Sequence, residues 1–217
     1  MENFDFWHKA NILIHVTCGL IALCIAIIAL TTPKGGKAHR ISGRLFLYFL
    51  SVVIVTGLFG VFVFKVNQFL IVVTVLSGYN AYSGIRVLQN KTNKINRQDI
   101  LVAIMTVSTG IYFLYYIKKI GFFWSPIVVY STLGALFFII SYDLLRYLIP
   151  QKKYGKLWLY EHIYKMVAAF TALLSAATGT IYDEFQPHSQ YLPSAFGMLM
   201  ALSFILYFYR KNRLSRK

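Results

Sequence analysis

The sequence predicts an all-α integral membrane protein with seven transmembrane helices, its N-terminus outside and its C-terminus cytoplasmic. Composition, seven apolar runs of bilayer length and a lopsided distribution of Lys and Arg carry that expectation. Of 217 residues, 58% are hydrophobic and 13% charged, with a mean hydropathy of +0.60, whereas soluble domains carry roughly 25% charged residues.

A hydrocarbon core about 30 Å thick takes roughly 20 apolar residues at 1.5 Å rise per residue. Runs at 11–30, 45–64, 69–88, 100–117, 126–149, 157–182 and 192–208 meet that length, the last being the shortest. Each is read as a helix, because lipid offers no partner to an unpaired backbone amide. The first run follows the acidic stretch MENFDF and is trailed by positive charge, so it reads as a retained span and not a cleaved leader. Its Cys18 and Cys24 lie six residues apart on one helix, a spacing that predicts no disulfide. Pro33 and Gly35-Gly36 end this helix and turn the chain. The second, fourth and sixth runs share a Thr-Gly pair: Thr56-Gly57, Thr109-Gly110 and Thr178-Gly179. With a basic residue near each start (Arg44, Arg97, Lys165), they suggest three tandem helical hairpins before a seventh helix. Chance use of small residues in membrane helices is the competing account. In the seventh run Ser194, Gly197 and Ala201 form a small-residue stripe suited to packing on another helix, of this chain or a partner.

Orientation follows from the loops, since cytoplasmic loops are enriched in Lys and Arg. Lys34, Lys37, Arg40, Arg44, Arg86, Lys91, Lys94, Arg97, Arg146, Lys152, Lys153, Lys156, Arg210, Lys211, Arg213, Arg216 and Lys217 all fall on one side. The other side has Lys9, Lys65, Lys118 and Lys119 together with Glu2, Asp5, Asp183 and Glu184. The net charge of +15 is therefore spread over short loops, which argues against a nucleic-acid partner. The longest polar stretch is 89–99, so residues 1–217 read as a single transmembrane domain whose partner is the lipid bilayer.

Ionisable groups at membrane depth are functional candidates. His8, Asn11, His15 and Gly19 recur at helical spacing and form a polar stripe that faces protein or water. His15 is the deepest, and a helix-packing hydrogen bond explains it more simply than a metal does. His8, His15 and His188, with the acids on their side, are weak metal candidates without a diagnostic spacing. At the opposite end, His39, Arg40, Arg44, Arg86, Asp143, Glu161, His162 and Lys165 could line one basic pocket for an anionic headgroup or small anion. The competing account makes Asp143–Arg146 (i,i+3) and Glu161–Lys165 (i,i+4) local pairs that neutralise charge along one helix. Tyr79, Tyr82, Tyr142, Tyr147, Tyr160 and Tyr164 lie nearby, as an interfacial belt or as part of a ligand cage.

Gly35-Gly36-Lys37 lacks the spacing of a nucleotide P-loop. The stretch HVTCG at 15–19 followed by KGGKAHRISGR at 34–44 resembles the domain of unknown function 2306 family, bacterial multi-spanning membrane proteins. Typical members have a His in the first span, then Lys-Gly and HRxxGR entering the second. They also carry a His-Arg and a Trp-Met before the fourth span, where this chain has only NRQDI. The resemblance implies a multi-pass protein of the bacterial inner membrane, with His15, His39, Arg40, Gly43 and Arg44 as motif positions and no implied activity.

The favoured function is a non-enzymatic membrane subunit or ligand-binding protein, in contact with lipid and with other membrane subunits. A haem- or quinone-binding redox protein is the first alternative, drawing on His39 with His162. A small-solute transporter is the second, and an intramembrane hydrolase the least supported, because no nucleophile–base spacing is diagnostic.

Overall fold

The computed structural model describes residues 2–65, 68–121, 124–155 and 157–214. Lys156, Arg216 and Lys217 lie outside the described residues, as do the side chains of Glu2 and Arg213. Every regular element among the described residues is helical.

The helices are α1 (Glu2–Thr31), α2 (Lys37–Val63), α3 (Phe69–Gln89), α4 (Arg97–Ile120), α5 (Pro126–Leu145), a short α6 (Gln151–Tyr154), α7 (Leu157–Ile181) and α8 (His188–Leu214). A 3-10 turn, Arg146–Leu148, continues α5. All seven expected runs are helices. Helix α1 begins well before residue 11, and α2 begins at Lys37, because the polar residues flanking each run continue the helix beyond its apolar part. Local chemistry marks the ends. Gly35 turns the chain after α1 at φ +78°, and Gly121 ends α4 at φ +86°, both left-handed values that favour glycine. The Asn96 side chain accepts from the Gln98 amide at 2.8 Å and caps α4, and Pro126 occupies the first turn of α5.

Five helices are long and apolar enough to cross a membrane: α1, α2, α4, α5 with its 3-10 turn, and α8. Helices α3 and α7 are the inner pair of the bundle. Helix α3 packs against α2, α4, α5 and α7, and α7 against α1, α3 and α8. Both carry buried polar groups: Ser77, Asn80 and Ser83 on α3, and Glu161, Lys165 and Thr171 on α7. Two apolar cores result. One joins α3, α4 and α5 around Val72, Phe113, Leu136 and Ile140. The other joins α1, α2 and α7 around Ala22, Leu50, Ala169 and Phe170, with Ala81 of α3.

The three expected hairpins need correction. Helices α1 and α2 pack closely and α3 meets α4, but α7 packs on α3 and α8 where the third hairpin would place it on α5. The Thr-Gly glycines serve another pairing. A Cβ on Gly57 would lie 3.2 Å from Thr74 of α3, one on Gly110 2.8 Å from Phe137 of α5, and one on Gly179 2.5 Å from Gln190 of α8. Each therefore seats the next long helix of the chain. The stripe on α8 faces α7: a Cβ on Gly197 would fall 2.0 Å from Thr171, Ser194 bonds Ser175 at 2.8 Å, and Ala201 is buried.

Candidate functional site

At the end of the bundle where α5 gives way to α7, four ionisable side chains are almost sealed from solvent. Lys165 is 0% exposed, Arg146 3%, and Asp143 and Glu161 6% each. Lys165 Nζ donates to Asp143 Oδ1 at 2.5 Å, and the Tyr79 hydroxyl donates to Asp143 Oδ2 at 2.9 Å. Arg146 Nη1 donates to Glu161 Oε2 at 2.7 Å, and the Tyr142 and Tyr154 hydroxyls donate to Glu161 at 2.8 and 2.9 Å. The expected local pairs are the long ones, 3.8 Å for Arg146–Asp143 and 3.9 Å for Lys165–Glu161. The short pairs thus cross between helices. Two acids and two bases balance, and each short pair is charge-assisted. Tyr154, in the connection after α5, is fully buried. Burial, and then the Glu161 charge, hold its ionisation well above a tyrosine's ordinary value.

A second ion pair flanks the first. Arg86 grips Asp99 through Nε at 2.6 Å and Nη2 at 3.3 Å, and the Tyr82 hydroxyl also donates to Asp99 at 2.8 Å. Between the two pairs lies a void of only about 10 Å3, bordered by Tyr79, Arg86, Asp143 and Tyr147. Arg40 and Arg44 stay exposed on α2. His39 Nδ1 bonds the Ala29 carbonyl and His162 Nδ1 the Gly84 carbonyl, each at 2.9 Å. The single basic pocket is therefore corrected: Arg86, Arg146 and Lys165 are engaged by carboxylates, and Arg40 and Arg44 are exposed. Asp99 and Tyr154 were missed by sequence reasoning. An acid among the bases of the loop before α4 was the available signal for Asp99.

The larger cavity lies towards the other end, between α1, α2, α3 and α7, with a volume of about 230 Å3. The α1 stripe supplies one wall, because helical spacing stacks His8, Asn11 and His15 on one face. Leu50, Val53, Leu70, Val73 and Leu173 supply apolar walls. Asn11 Nδ2 donates to the Thr56 carbonyl at 3.1 Å, and His15 Nδ1 lies 2.9 Å from the Thr56 hydroxyl oxygen. His8 packs its ring on Phe64 at 4.6 Å. Thr56 and Thr74, the polar groups contributed by α2 and α3, were not singled out as ligand contacts from sequence. Nothing in a linear pattern brings Thr74 to His15.

The metal candidates on this side are dispersed. Asp5 pairs with Lys9, His188 packs on Tyr191, and His15 is held by Thr56. Among the described residues no three His, Cys, Asp or Glu gather into a metal-binding group.

The class defined by fold and site is an all-helical membrane-type bundle, with a neutralised ionic cluster at one end and a mostly apolar cavity towards the other. No protein-family model, curated protein or solved structure matches the chain.

Proposed function

We propose that this chain is a seven-span protein of the bacterial inner membrane, N-terminus outside, that binds a lipid-soluble ligand in the cavity beside His15 and performs no chemistry on it. The cavity carries this reading: about 230 Å3 of mostly apolar space with a few polar atoms on one side suits an amphipathic molecule. The seven-span count draws support from the polarity of α3 and α7, which falls on faces covered by other helices, where lipid does not reach. The orientation draws support from the ends where Lys and Arg concentrate. They meet through Arg86–Asp99, through Lys91 over the Trp158 ring, and through Asn93 Nδ2 donating to the Arg146 carbonyl. The neutralised cluster beside them is read as a staple between helices and not as an anion site.

Ala172 lines the cavity, so Ala172→Leu fills it with apolar volume at little cost to folding. Wild-type protein in mild detergent is expected to retain a lipid-soluble molecule in native mass spectrometry, and Ala172→Leu to lose it while melting no lower. Equal retention by both would overturn the reading.

A redox reading has one observation of its own. His39 and His162 both spend Nδ1 on backbone carbonyls, and among the described residues neither Nε2 has a hydrogen-bond partner, as an axial ligand would require. A Soret band in the purified protein is what that reading expects, and a colourless preparation leaves lipid binding in its place.

A further inference from the structure

The hydrogen bonds around His15 specify what kind of head group the cavity takes, an inference that rests on the ligand-binding reading above. A threonine hydroxyl has one proton to give. That of Thr56 goes back to its own helix, 2.8 Å from the Val52 carbonyl, with Val53 at 3.1 Å. Towards His15 Nδ1, at 2.9 Å, the same oxygen can then only accept. With that assignment Nδ1 carries the ring proton, and the imidazole presents Nε2 as an acceptor.

Opposite it stands a hydroxyl with a proton to spare. Thr74 lines the same cavity, and its oxygen has no hydrogen-bond partner among the described residues. Gly57 brings the two groups together: a Cβ there would lie 3.5 Å from His15 Cε1 and 3.2 Å from Thr74 Oγ1. One acceptor and one donor thus lie beside Gly57 in a chamber whose walls are mostly apolar.

We propose that the ligand is a hydroxyl-headed apolar molecule, whose O–H donates to His15 Nε2 while its oxygen accepts the Thr74 proton. A carbonyl head satisfies Thr74 but leaves His15 without a donor. A carboxylate brings a charge against mostly apolar walls, with no Lys or Arg among the lining residues to meet it. A cavity of about 150 Å3 holds benzene, so about 230 Å3 admits a ring with a few methylenes, or a head and the first carbons of a chain. Phenolic and aliphatic alcohols share the chemistry.

Competition against tritiated 4-nonylphenol on detergent-solubilised wild-type protein tests it, with 4-nonyltoluene as the isostere lacking the hydroxyl, 1-decanol as the aliphatic alcohol and a decyl-benzoquinone as the carbonyl head. The phenol or the alcohol is expected to bind about tenfold more tightly than the isostere, and whichever binds better identifies the source. Thr74→Val and His15→Phe, each near the shape of the residue it replaces, are expected to bring that ratio close to one. If phenol and isostere bind wild type equally, or the quinone binds best, the head-group assignment fails and the cavity reading stands. If no probe binds wild type, both fail.

Discussion

Asp143 on α5 pairs with Lys165 on α7 at 2.5 Å, while Arg146, one turn along the same helix, stays 3.8 Å away and turns its Nη1 to Glu161. The acids and bases of the two helices are exchanged between them. A local pair neutralises charge along one helix only, whereas an exchanged pair ties two helices at a fixed height.

Removing one member of a buried pair leaves an uncompensated charge, at a cost of about 3–5 kcal/mol. Asp143→Asn and Lys165→Met are each expected to lower the unfolding free energy in micelles by about that amount. The double variant Asp143→Asn, Lys165→Met should lose less than either single variant, because no lone charge remains. A double loss equal to the sum, followed by circular dichroism through denaturation, would show that the two do not interact.

Tyr154 gives a pH signature. Its folded-state ionisation is raised above the tyrosine value by burial and Glu161, so its contribution is complete below about pH 10 and lost as the unfolded chain ionises above it. Tyr154→Phe is expected to be less stable than wild type by about 1–3 kcal/mol at neutral pH. The gap should narrow as pH rises beyond 10, by tyrosine's ordinary value, and a constant gap would contradict the assignment.

Helix α8 is held to α7 by close approach. Ser175 and Ser194 lie with their hydroxyl oxygens 2.8 Å apart. With Cys18 and Cys24 replaced by Ala, cysteines at 175 and 194 should oxidise readily to a disulfide. Adding Gly197→Leu, whose side chain would collide with Thr171, should abolish that cross-link and destabilise the protein by about 1–3 kcal/mol. Undiminished cross-linking would place the two helices further apart than described.

Topology is open to labelling of intact cells by an impermeant maleimide, in the same Cys18→Ala, Cys24→Ala background. Lys118→Cys and Glu184→Cys should react from outside, and Lys37→Cys, Lys91→Cys and Lys152→Cys only after the membrane is opened. Reaction of Lys91→Cys in intact cells would remove the third and fourth spans from the proposed arrangement.

The helices were legible because apolar length is a local property, and the α1 stripe because helical spacing stacks Asn11 and His15 whatever surrounds them. Partners were not. Asp143 and Lys165 are separated by 22 residues, Tyr79 and Asp143 by 64, and His15 and Thr56 by 41. Spacing rules favour neighbours one turn away, so they offered Arg146 to Asp143 and Lys165 to Glu161, and the fold declined both as short contacts. The cavity was equally hidden, since it exists only where four helices fail to fill a space. One signal was present: of seven acidic residues, Asp99, Asp143 and Glu161 lie apart from the acids near the N-terminus and between α7 and α8, and all three hold a guanidinium or an ammonium.

Helix α3 contributes to both apolar cores, and three of its polar side chains find partners on later parts of the chain: Arg86 on Asp99, Tyr79 on Asp143, Ser77 on the Ala169 carbonyl. For a polypeptide threaded into lipid in order of synthesis, this segment emerges before most of the groups that satisfy it exist. In the proposed seven-span arrangement its settlement in the bilayer would wait for the translation of α7, and the insertion machinery would shelter nearly the whole protein before letting go.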